Sequence, residues 1–157
     1  MKITAWRTTR KKYVQEAFTG EGAKRFGGRW NPPGFPAVYV AQSLSLAILE
    51  LIVHLDEDSD ISRFVAIPVT FDRKLVHVLP PSQLPRDWSA LPIAEPSQSV
   101  GKKWLSSKKS VLLQVPSSVV PSESNFVINP LHPKFSQLQI GSPQPLHIDQ
   151  RISRILQ

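Results

Sequence analysis

Proline limits how this chain folds more than any other residue. The sequence holds 15 prolines in 157 residues, against an ordinary share of about 5%, and all of them lie beyond residue 30. Each fixes φ and removes a backbone donor, so long helices are excluded there and short strands with ordered loops are favoured. Pro32-Pro33-Gly34-Phe35-Pro36 reads as a rigid turn. Pro80, Pro81, Pro85, Pro92 and Pro96 break up an irregular middle, and Pro116, Pro121, Pro130 and Pro133 punctuate the last third.

Between these breaks the hydrophobic periodicity predicts the elements. Ile3 to Thr8 and Ala37 to Ala41 read as strands, and Ser43 to Leu55 as a helix. Phe64 to Phe71 and Leu75 to Leu79 read as a strand pair joined at Asp72-Arg73-Lys74. Ser97 to Ser107 reads as a short basic helix, and Val111 to Val115 and Phe126 to Asn129 as strands. The tail after Gln137 has room for one or two more. This is a strand-rich α+β pattern rather than an alternating βαβ one, expected to form one domain over residues 1–157.

Charge narrows the partners. Lys and Arg exceed Asp and Glu by 19 to 12, a net +7, and eight of the basic residues fall in residues 1–30. A second cluster is Lys102, Lys103, Lys108 and Lys109, while Asp56 to Asp60 forms an acidic, solvated loop. Such a balance favours anionic partners. Trp30, Phe35, Trp88 and Trp104 lack the spacing of a nucleic-acid face, so no direct nucleic-acid contact is expected. There is no cysteine, which excludes disulfides and thiol catalysis. No apolar run is long enough to span a membrane, and the start lacks a signal-peptide core, so a cytoplasmic location is expected.

Three segments can carry chemistry. Gly20 to Asn31 contains four of the seven glycines and Arg29, whose planar fork suits a phosphate. It is neither a Walker loop nor a dinucleotide fingerprint, and it reads equally as a glycine-rich loop with a surface arginine. In the second segment, only Ser45 and Glu50 are polar from Leu44 to Val53, and Ser43, Ala47, Glu50 and His54 share a stripe. A helix apolar nearly all round is buried, leaving Glu50 either paired with an arginine or facing a cleft. The third segment, Val115 to Pro130, holds Ser117 and Ser118 between two prolines. These serines either serve a site or are ordinary loop composition. No Gly-x-Ser-x-Gly elbow occurs. His54, His77, His132 and His147 are far apart in sequence, so no metal site is expected.

Taken in order, Gly27-Gly28-Arg29-Trp30-Asn31 with Gly34, Val38-Tyr39-Val40-Ala41, Leu46-Ala47-Ile48-Leu49-Glu50 with His54, Val115-Pro116-Ser117 with Pro121 and Asn125, and Asn129-Pro130-Leu131-His132-Pro133 resemble the RES-domain family, toxins of bacterial toxin–antitoxin pairs. The resemblance runs from about Trp6 to Phe135. It implies an ADP-ribosyltransferase-like fold, a split mixed β-sheet with short helices around a central NAD-binding cleft. It also implies an NAD⁺ glycohydrolase or NAD⁺ phosphorylase that cleaves the nicotinamide–ribose bond, depletes NAD⁺ and arrests growth. NAD⁺ is then a substrate, with phosphate as a co-substrate in phosphorolysis, and no cofactor is implied.

Carried over by the resemblance, Arg29, Glu50 and Ser117 are the catalytic positions, with Ser118 a rival for Ser117. Arg7, Arg29, Tyr39 and Asn125 are the NAD⁺-binding ones. Glu50 would stabilise the oxocarbenium-like state, Arg29 grip the diphosphate, Tyr39 stack on nicotinamide, and Ser117 orient ribose or the nucleophile. The implied partner is an Xre-like helix-turn-helix antitoxin. A toxin homodimer is compatible with the family, although no heptad or apolar stripe derives it. Two other readings stay open: an ADP-ribosyltransferase with a protein or nucleic-acid target, and a non-catalytic basic binding module. The Ser-Thr-Ser strand and Glu-x-Glu turn of better-known ADP-ribosyltransferases are absent.

Overall fold

A computed structural model describes residues 1–56 and 58–155; Glu57 of the acidic loop lies outside the described residues. In chain order come β1 (Lys2–Arg10), α1 (Glu21–Phe26), β2 (Val38–Ala41), α2 (Leu44–Ile52), β3 (Phe64–Asp72) and β4 (Val76–Val78). Then follow α3 (Glu95–Ser107), β5 (Leu112–Pro116), β6 (Ser124–Ile128), β7 (Gln139–Ile140), β8 (Gln144–Pro145) and α4 (Gln150–Ile155). The strands form one sheet in the order β4-β5-β6-β2-β1-β3-β7, with β8 also paired to β3. Only β4 and β5 are parallel, so the sheet is mixed, as expected.

The expected β3–β4 hairpin does not form. Asp72 Oδ1 accepts the Lys74 N–H at 2.9 Å and caps a 3-10 turn, Arg73–Leu75. That turn sends the chain to the opposite edge, where β4 lies beside β5. A flat sheet would separate β3 from β4 by five strand spacings, about 24 Å. A three-residue turn reaches only about 10–14 Å. The sheet therefore curls.

Strand alternation gives the sheet two apolar faces. Ala5, Val38, Val40, Val69, Phe71, Phe126 and Ile128 pack together on one. On the other, Val115 and Val127 meet Trp30 and Trp104, while Ala41 meets Leu46 and Ala47 of α2. Pro68 sits in the middle of β3 yet costs no bond to β1. Its carbonyl faces Gly141 at 2.8 Å, so its missing N–H falls on that same side, between the β7 and β8 pairings.

At one place the sheet is nearly split. β1 and β2 share a single register pair, Trp6 with Ala41, whereas β1 and β3 pair along nine residues. Among the described residues no helix is long and apolar enough to cross a membrane.

Candidate active site

Glu50 sits at the centre of a compact cluster. Ser43 Oγ caps α2 by accepting the Leu46 N–H at 3.1 Å, an interaction worth about 1 kcal/mol. Leu46 and Ala47 then pack on Trp6, Ala41 and Val120. This places Glu50, one turn further on, over the end of β5 and the start of β6. Its Oε1 accepts two hydrogen bonds, from Ser117 Oγ at 2.6 Å and Asn125 Nδ2 at 2.8 Å. Ser117 is fully buried, and its Oγ also accepts the N–H groups of Val119 and Val120, each at 3.1 Å. The hydroxyl is thus fully used: one bond donated, two accepted. Ser118 makes no comparable contact with Glu50 among the described residues, so geometry separates the two serines.

Glu50 forms no ion pair among the described residues, where the one salt bridge joins Arg151 and Asp149. Two neutral donors hold Oε1 instead. Oε2 has no partner among the described residues and is not enclosed, so it is the oxygen offered to solvent. Asn125 Oδ1 is buried without a partner among the described residues. An acceptor enclosed in this way is costly unless a donor reaches it.

Arg29 comes from the segment expected to be a glycine-rich loop, half of which is instead helical. Gly20 (φ 77°, ψ 7°, left-handed) and Gly27 (φ 76°, ψ 168°) bracket α1, both in positive-φ conformations that glycine adopts readily. Arg29 Nη1 donates to the carbonyls of Trp88 at 2.7 Å and Ala90 at 3.1 Å. Its Nε and Nη2 hydrogens, the edge that grips an oxyanion bidentately, have no partner among the described residues. Burial lowers the Arg29 pKa, and the nearby Glu50 carboxylate opposes that, which sets the two in one electrostatic neighbourhood.

The Tyr39 hydroxyl donates to Asn31 Oδ1 at 2.6 Å and accepts the Trp30 N–H at 3.0 Å. Burial pushes its pKa well up, so it stays a donor at neutral pH. Its hydroxyl therefore clamps the turn carrying Arg29. Asn31, fully buried, completes the clamp by donating to the carbonyls of Ala23, Pro32 and Phe35.

Arg7 borders the same strand as Tyr39. Alternation along β1 turns it away from Trp6 and α2, and its Nη1 donates to the Tyr39 carbonyl at 3.3 Å. That bond bridges β1 to β2 where the sheet is nearly split. Burial lowers its pKa to about 10, which leaves it charged at neutral pH, and its Nε is buried without a partner.

A sequence model of the RES domain matches residues 4–149. This chain belongs to the RES-domain family. The RES domain is 38% identical over 141 residues to "Toxin Res" of Yersinia enterocolitica, covering 90% of this chain and 92% of that one. It is 36% identical over 159 residues to the "Prs ADP-ribosylating toxin" of Sphingobium sp., covering 98% and 99%. A 50-residue stretch is 48% identical to "NAD(+) phosphorylase MbcT" of Mycobacterium tuberculosis, covering 29% of this chain and 27% of that one. The crystal structure of the M. tuberculosis MbcT–MbcA toxin–antitoxin complex superposes with a TM-score of 0.76 at 23% identity, over 99% of this chain and 89% of that one. The fold is accordingly the α+β, curled mixed sheet of the ADP-ribosyltransferase-like kind.

Two supports of the RES-domain site were not legible in the motifs. Gln98 Nε2 donates to the Gly28 carbonyl at 3.1 Å, and Gly101 lets α3 lie directly on the Trp30 carbonyl. The expected basic helix is therefore the backplate of the Arg29 turn. His132 is also structural: its Nδ1 accepts the Lys134 N–H at 3.0 Å while Nε2 meets the Lys108 carbonyl at 2.9 Å. His54 falls just past the end of α2 and is exposed. Among the described residues no group of three or more His, Cys, Asp or Glu could hold a metal ion.

Tyr39→Phe removes one donor and one acceptor at the clamp. The variant is expected to lose about 1–3 kcal/mol of stability, read from urea unfolding, and to weaken any anion grip that depends on Arg29.

Proposed function

We propose that this RES domain is the toxin of a toxin–antitoxin pair and that it breaks the nicotinamide–ribose bond of NAD⁺. The observation that carries the reading is the Glu50 carboxylate, fixed through Oε1 by Ser117 and Asn125 with Oε2 left accessible. When the C–N bond breaks, nicotinamide leaves neutral with the electron pair and positive charge builds on the ribose. A preorganised carboxylate oxygen stabilises that charge without having to reorient. The free edge of Arg29 holds the diphosphate, and Asn125 acts by holding Glu50 Oε1 through its Nδ2. Water then adds to C1″ and releases a proton, giving ADP-ribose; phosphate adds to give ADP-ribose-1″-phosphate. Ser117 acts through Glu50 rather than on the substrate, and Tyr39 acts through the Arg29 turn. Arg7 supports the join between the two halves of the sheet.

The local likeness to a protein named NAD(+) phosphorylase supports this bond and this substrate. A second reading rests on the near full-length relative named an ADP-ribosylating toxin: the same bond breaks, but a side chain of a target protein attacks C1″. One incubation separates them. Purified protein is given NAD⁺ with and without phosphate, and the products are resolved by mass. Free nicotinamide with ADP-ribose or its 1″-phosphate supports the first reading. ADP-ribose retained on added protein supports the second, and intact NAD⁺ refutes both. The partner proposed is an Xre-like helix-turn-helix antitoxin, in line with the toxin–antitoxin complex of the structural neighbour.

A further inference from the structure

The basic cluster noted in the sequence divides in the structure. Lys102 sits over the Phe35 ring, 5.3 Å from its centroid. Lys108 and Lys109 instead join Lys74 and Lys134 around a pocket of about 290 Å³. Three separate segments bring these four lysines to one pocket: the turn after β3, the end of α3 and the turn after β6. No carboxylate lines the pocket, and none of the four lysines is in a salt bridge among the described residues. Asp72 is close enough to Lys74 to feel its charge, but it lies outside the pocket lining, with Oδ1 accepting the Lys74 backbone N–H. By contrast, the cavity of about 240 Å³ beside Arg10 and Arg63 is lined by Asp56, Asp58 and Asp60, which balance those arginines.

We propose that this pocket is a docking site for an acidic segment of a partner protein. Like charges gathered around a concavity repel one another, and an anionic occupant relieves that repulsion. Lysines are point charges on flexible stems, tolerant of carboxylate position; the pocket has no arginine fork and no Phe, Tyr or Trp, and its one imidazole, His132, is held by backbone through both ring nitrogens. Pro133 lines it, and Leu131, next in sequence to the lining residue His132, is 67% exposed. A segment with both acidic and apolar side chains satisfies the ammonium groups and covers Leu131. The pocket lies at the start of β5, whereas Ser117 follows its end, about 20 Å along the strand. Docking there is independent of which bond the Glu50 site breaks.

The test uses a short fluorescent peptide of alternating glutamate and leucine, with a charge-matched DNA duplex as the comparison. Wild-type protein is expected to bind the peptide more tightly than the duplex at low salt. Lys108→Glu with Lys134→Glu should weaken peptide binding about tenfold or more, from two contacts each worth a few-fold. In about 0.15 M salt, where the Debye length is about 8 Å, Lys102→Glu with Lys103→Glu should weaken it clearly less than the Lys108 and Lys134 pair does, since those charges lie outside the pocket. Acetylation mapped by mass spectrometry should show Lys108 and Lys134 protected by the peptide and Lys103 unprotected. Turnover of NAD⁺ should be the same in all variants. Failure of the wild type to bind the peptide, equal binding by the Lys108/Lys134 variant, or preferential binding of the duplex would each overturn the proposal.

Discussion

Glu50→Gln is expected to leave the fold intact and to lower NAD⁺ cleavage by about a thousandfold, the scale on which one preorganised electrostatic group acts. The side chains are isosteric, and a glutamine Oε1 can still accept from Ser117 and Asn125 at the observed positions. What changes is the outward atom, which goes from a carboxylate oxygen to an amide NH₂. A donor in that place repels developing positive charge instead of stabilising it. Cleavage assays and thermal melts on the same preparation read the two effects separately. Ser117→Ala is the informative contrast. It removes one of two donors to Oε1, but it also strands the Val119 and Val120 N–H groups in a half-buried turn. It should therefore cost stability, about 1–3 kcal/mol, together with a smaller loss of turnover. Full activity in Glu50→Gln would remove Glu50 from the chemistry.

The sequence revealed the parts of this site that depend on local pattern. The apolar run after Ser43 is a capped helix, and the β-branched stretches are strands, because propensity and packing agree there. Local pattern misled where distant pairing decides. Asp72-Arg73-Lys74 has the chemistry of a turn and is one, yet the strand after it pairs with β5 on the far edge. The helix expected to run to Leu55 stops at Ile52, and it is not buried all round. Leu49 is 44% exposed and Val53 58%, because only the Leu46–Ala47 side meets the sheet. Glu50 owes its setting to that partial burial, which keeps one carboxylate oxygen within reach of the protein and leaves the other open. The choice between Ser117 and Ser118 was illegible for a related reason. A one-residue register in a Ser-Ser pair is set by the pairing of Val115 with Asn125, not by composition.

Gly101→Ala should damage the protein far more than the addition of one methyl group suggests. Within a 13-residue helix, alanine is ordinarily better than glycine by about 1 kcal/mol. At this position a Cβ would land on the Trp30 carbonyl carbon and oxygen, with Trp30 Cα 3.0 Å away. Those are backbone atoms that cannot turn aside as the end of a side chain can. Overpacking a core costs about 1–3 kcal/mol when side chains can adjust, so a clash with fixed backbone exceeds the helix gain. Relief requires α3 to lift off the Arg29 turn, which breaks the Gln98 bond to the Gly28 carbonyl and uncovers Trp30 and Trp104. The expected result is a loss of about 4 kcal/mol or more, in the range reserved for backbone strain and disrupted cores, together with loss of anion grip at Arg29. Gly22→Ala is the matched control. Gly22 lies in α1, and nothing stands within 4 Å of the place a Cβ would take there, so the same substitution should stabilise by up to about 1 kcal/mol. Urea midpoints of the two variants, measured side by side, should move in opposite directions. Movement in the same direction would show that α3 does not brace the Arg29 turn as closely as the packing of Gly101 on Trp30 requires.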